Sequence, residues 1–88
     1  MDDKLATAGD GPEVLDLRGL KCPMPVLRTR RALSRLAPGA VLVVRCTDPL
    51  AGLDIPNLVR ETGDGLVEAA REAGGTRFVI RRGAGAAG

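Results

Sequence analysis

Hydrophobic and polar positions first alternate in Val14-Leu15-Asp16-Leu17-Arg18, with Leu15 and Leu17 on one side and Asp16 and Arg18 on the other. A period of two predicts a half-buried strand. Gly19 can turn the chain at low steric cost, and the period then changes. From about Pro23 to Ala37, Val26, Thr29, Leu33 and Leu36 recur at helical spacing and Ala32 widens the stripe, until Pro38-Gly39 ends the helix. Val41 to Cys46 is rich in β-branched residues and predicts a strand, with Cys46 on the same inward side as Leu42 and Val44. A strand, a helix and a strand in this length predict a βαβ unit with parallel strands. Asp48-Pro49 suits a turn or a helix start. A second helix is predicted over about Leu53 to Glu61, with Asp54 as cap and Pro56 in its first turn. Leu53, Ile55, Leu58 and Val59 supply its buried side, and Gly63 serves as its C-terminal glycine.

Leu66 to Glu72 has a helical composition, but Gly63, Gly65, Gly74 and Gly75 bracket it too tightly for a typical helix. It is read as a strand that pairs with Thr76 to Arg82, where Phe78 and Ile80 share a face, through a Gly74-Gly75 hairpin. The expected order is βαβαββ: a mixed four-stranded sheet with two helices on one face. Met1 to Pro12 shows no periodicity, and the chain closes on glycine and alanine alone. Both ends read as tails, 1–12 and 84–88, around one domain at 13–83.

Composition narrows the chemistry. No apolar run approaches the length of a membrane span. The start, Met-Asp-Asp-Lys, lacks the pattern of a secretory signal, and two cysteines without a disulfide framework suggest the reducing cytoplasm. Histidine is absent, which removes His-assisted triads, His general bases and the usual zinc ligand sets. Phe78 is the one aromatic residue and the net charge is only +2, so a base-stacking nucleic-acid platform is hard to build.

The chemistry concentrates in Arg18-Gly19-Leu20-Lys21-Cys22-Pro23-Met24-Pro25-Val26. A cysteine at a strand-to-helix junction between prolines is poorly explained as core filling. Cys22 is expected as the helix cap and Pro23 as the first helical residue, where its missing N–H costs nothing. The positive end of the helix, its spare N–H donors and the neighbouring Lys21 then favour a thiolate. Asp48 would oppose this if it lay at the same end of the sheet. Arg18 and Lys21 are surface residues by base rate; Met24 is a partner contact or a packed residue. Arg28, Arg31 and Arg35 share a helix face, solvated one by one but able as a set to dock an acidic partner.

Leu15-Asp16-Leu17-Arg18-Gly19-Leu20, Cys22-Pro23-Met24-Pro25-Val26, Asp48-Pro49, Asp54-Ile55-Pro56 and Phe78-Val79-Ile80-Arg81-Arg82-Gly83 stand in the order and spacing of a known family. From Val14 to Gly83 the chain resembles the small bacterial TusA or SirA-like sulfurtransferases. The resemblance implies a two-layer α/β sandwich and a sulfur relay in which Cys22 holds a persulfide. Gly19, Pro23 and Pro25 would shape the loop that presents it. The implied partners are a cysteine desulfurase or other persulfide donor and a cysteine-bearing acceptor. Destinations in the family include tRNA wobble-uridine thiolation, molybdenum-cofactor metabolism and sulfur oxidation, and some relatives are linked to selenium. No metal or organic cofactor is implied. Two rival expectations are a thiol-disulfide protein using Cys22 and Cys46, and a regulatory module binding RNA through the helix arginines.

Overall fold

The computed structural model describes residues 12–83. The expected tails therefore lie outside the described residues, apart from Pro12. Strand β1 (Glu13–Leu17) leads through the cysteine turn into helix α1 (Met24–Ser34), followed by β2 (Val41–Cys46), α2 (Ala51–Thr62), β3 (Gly65–Glu72) and β4 (Gly75–Arg81). The four strands lie in the order β1-β2-β4-β3, with β1 parallel to β2 and the other pairs antiparallel. This is the expected βαβαββ mixed sheet, and the ambiguous Leu66–Glu72 stretch is indeed a strand.

The core follows the alternation. Leu17, Leu42, Val44, Cys46, Phe78 and Ile80 point inward, where they meet Leu33 of α1 and Ala51, Ile55 and Val59 of α2. The opposite sheet face carries the row Val14, Val43 and Val79, bounded by the ion pairs Arg45–Glu72 (2.8 Å) and Arg77–Glu68 (3.5 Å). The exposed Arg77–Glu68 pair contributes little to stability, whereas Arg45–Glu72 is half-buried.

Both helices begin differently from expectation. Met24, not Pro23, is the first residue of α1; Pro23 caps it, and Cys22 lies one position before the cap. The restriction that Pro25 places on the preceding residue does not keep Met24 out of the helix, and Pro25 packs at the second helical position. α1 closes at Ser34 rather than Ala37, in a tighter turn where Arg35 and Leu36 donate to Ala32 and Leu33. α2 starts at Ala51, so Asp54 is not its cap and Pro56 lies inside it. The carbonyl that Pro56 leaves without a helical partner belongs to Gly52, an exposed residue that water can serve. Leu53, expected inside, is 68% exposed, and Ala51 takes the buried place. Gly63 ends α2 in the left-handed conformation at φ 79°, as expected.

At one end of the sheet, the side chain of Asp64 is wholly buried and accepts hydrogen bonds from Thr62 Oγ1 (2.6 Å) and the Gly83 N–H (2.7 Å), beside Arg82 at 3.3 Å. The cysteine turn lies at the other end. Because β1 and β2 are parallel and each leads into a helix, both helices begin there.

Candidate functional site

Cys22 is exposed and Cys46 buried, and both are free thiols. The turn that presents Cys22 is fixed by its own backbone and by the connection after β2. Leu20 N–H donates to the Leu17 carbonyl (3.1 Å), and Leu20 packs against the core. Gly19, at φ 90°, directs its N–H to Thr47 Oγ1 at 2.8 Å. The N–H of Cys22 donates to Asp48 Oδ2 at 2.7 Å, while the other oxygen of Asp48 accepts from the Leu50 N–H at 3.2 Å. One carboxylate thus ties the cysteine turn to the entry of α2. Met24 N–H closes onto the Lys21 carbonyl at 2.8 Å, completing the turn.

The sulfur itself faces α2. Cys22 Sγ donates to Asp54 Oδ2 at 3.6 Å. The expectation of a lowered thiol pKa is corrected here: partial loss of water around the sulfur, the Asp54 hydrogen bond and the negative charges of Asp54 and Asp48 push Cys22 above the ordinary thiol value. The start of α1, expected to favour a thiolate, has no acid in its own first turn, but Asp48 and Asp54 reach the cysteine from the β2–α2 connection and from α2. Asp54 stands in the first turn of α2, a position that the helix dipole favours for an anion.

Of the other expected site residues, Lys21 is exposed and lines a groove beside the turn with Gly19, Leu20, Thr47, Asp48 and Pro49. Arg18 is turned away, held by Asp16 through Nε (2.8 Å) and Nη2 (2.7 Å). That two-pronged contact draws the Asp16 carboxyl well below the usual range. Met24 is half-buried, Pro23 exposed and Pro25 buried. Arg28, Arg31 and Arg35 are exposed and line a separate groove with Glu13, Leu15 and Ala32. Sequence reasoning missed Asp54 as a neighbour of the sulfur. The available signal was topological, since parallel strands put the start of the second helix beside the end of the first strand.

The sulfurtransferase TusA family model matches residues 13–82. The sulfur carrier protein TusA of Allochromatium vinosum is 37% identical over 73 residues, covering 83% of this chain and 96% of that protein. The sulfur carrier protein TusA of Pseudomonas paraeruginosa is 42% identical over 69 residues, covering 78% and 87%. The crystal structure of the SirA-like protein from Desulfitobacterium hafniense superposes with a TM-score of 0.70 at 25% identity, covering 80% of this chain and 96% of that one. Among the described residues no helix is long and apolar enough to cross a membrane. With the βαβαββ fold and this span of similarity, the chain belongs to the TusA sulfurtransferase family.

Proposed function

We propose that this protein is a sulfur carrier that holds a transferable sulfur as a persulfide on Cys22. The observation that carries the reading is the contrast between its two thiols: Cys22 is exposed on a braced turn, whereas Cys46 is 1% exposed within the core. The Cys22 thiolate attacks the outer sulfur of a donor persulfide. A new S–S bond forms on Cys22 as the donor's own S–S bond breaks, and the donor cysteine leaves as a thiolate. The proton lost by Cys22 passes to solvent or to that leaving thiolate. An acceptor thiolate then attacks the outer sulfur on Cys22 in the same way, so the relay needs no external oxidant or reductant.

A cysteine desulfurase is the donor class and a cysteine-bearing protein the acceptor class, both in a reducing compartment such as the cytoplasm. Thiolation of tRNA is one pathway that such a relay would feed. The similarity to sulfur carriers supports this role. Pro23 and Pro25 stiffen the loop, and Arg28, Arg31 and Arg35 offer cations to an acidic patch on a partner. The burial of Cys46 disfavours an internal disulfide as the working chemistry.

Incubation with a desulfurase and cysteine, followed by intact mass measurement, should add the mass of one sulfur atom. A reducing thiol should remove it. Cys22→Ser should gain nothing, while Cys46→Ala should load like the parent. Failure of the parent to load from a donor that loads another carrier would overturn the reading.

A further inference from the structure

The carboxylates around Cys22 do not suit a sulfur simply poised for attack. Asp54 reaches it from α2 and Asp48 from the β2–α2 connection, one on the thiol and one on the N–H of the same residue. Lys21 is the cation beside it in the chain, but among the described residues the hydrogen bond of the sulfur goes to Asp54 and none joins it to Lys21; Arg18 is engaged by Asp16, and along α1 Arg30 faces Glu61 at 3.6 Å. The field at Sγ is therefore set chiefly by two anions. We propose that Asp54 is a positioning and selectivity residue of Cys22, holding the resting sulfur as an oriented thiol and disfavouring small anionic reagents at this site. The biological meaning rests on the sulfur-carrier reading: small sulfur anions, such as sulfite or an anionic low-molecular-weight thiol, would be kept from taking the cargo. The electrostatic claim itself does not depend on that reading.

Two alkylating reagents of similar size, neutral iodoacetamide and anionic iodoacetate, separate charge from accessibility, because both react with the thiolate. A raised thiol pKa lowers the thiolate fraction more than it raises intrinsic nucleophilicity. Removing the Asp54 charge should therefore accelerate alkylation near neutral pH. In the parent protein the neutral reagent should outpace the anionic one by a larger ratio than it does with a free cysteine derivative. Asp54→Asn should shift the pH profile of alkylation to lower pH, speed iodoacetamide several-fold, and bring the reagent ratio toward that of the free thiol. Asp54→Glu should restore the parental ratio, which a purely structural role would not predict. Low salt should enlarge the differences.

An unchanged ratio and pH profile in Asp54→Asn would overturn the proposal, as would an equal change in Asp54→Glu. No sulfur donor enters this test, so its failure would leave the carrier reading standing. Conversely, failure to load with sulfur would leave a positive alkylation result intact.

Discussion

Thr29 is completely buried in α1, and its hydroxyl finds no hydrogen-bond partner among the described residues. An orphaned buried hydroxyl retains the desolvation cost of its polar atom without the offsetting bond. Valine has nearly the same shape and a similar helix propensity. Thr29→Val should therefore stabilise the fold by about 1 kcal/mol, read as a higher urea midpoint at unchanged slope; an unchanged or lower midpoint would count against the orphan. The helical spacing alone marks position 29 as core, and it is core. That its hydroxyl stays unpaired depends on atoms brought close only by folding. The same limit applies at Cys22. Its place on the turn is legible from the prolines and the strand before it, but the charge of its surroundings is not. That charge comes from Asp48 and Asp54, 26 and 32 residues further along the chain.

The β3–β4 hairpin shows what an element demands of one residue. Gly74 makes the turn at φ 76°, and Gly75 is already the first residue of β4, paired with Glu72. A side chain at Gly75 would collide with the carbonyl oxygen of Cys46, the last residue of β2. Gly75→Ala should therefore cost about 3 kcal/mol, measured by denaturant unfolding; a loss below a few tenths would show that the strands can part without penalty. The glycine pair does predict the hairpin, but two different needs lie behind its two members, one of dihedral angle and one of space. Sequence periodicity likewise recovers the strands to within a residue or two. It fails at the start of α2, where capping rules place Pro56 in the first turn. An interior proline is accommodated there because its helical acceptor lies on exposed Gly52.

Across the whole molecule the element order, the parallel β1–β2 pair, the β3–β4 hairpin and the two-helix layer were legible, because apolar alternation and segment length leave few ways to close a core this small. The β2–β4 pairing that joins the two halves of the sheet was not. One buried group links that core to pH. Cys46 is pushed from 9.0 up to about 11, first by burial and then by the charge of Asp48. The folded protein thus holds this proton more tightly than the unfolded chain does. Stability from this group is complete below pH 9 and falls as pH rises from about 9 to about 11, by about 3 kcal/mol in all. Cys46→Ala should flatten that part of the profile, measured by urea unfolding at successive pH values. An identical slope in both proteins would sink the assignment.

The parallel pairing of β1 with β2 and the antiparallel return of β4 also settle where neighbours can be attached. The first residue of β1 and the last of β4 both lie at the Asp64 end of the sheet. Anything joined there, whether a purification handle or a second folded unit, begins roughly a strand's length, about 17–20 Å, from the sulfur. Fusion at either side therefore leaves the reactive end open to whatever must meet it.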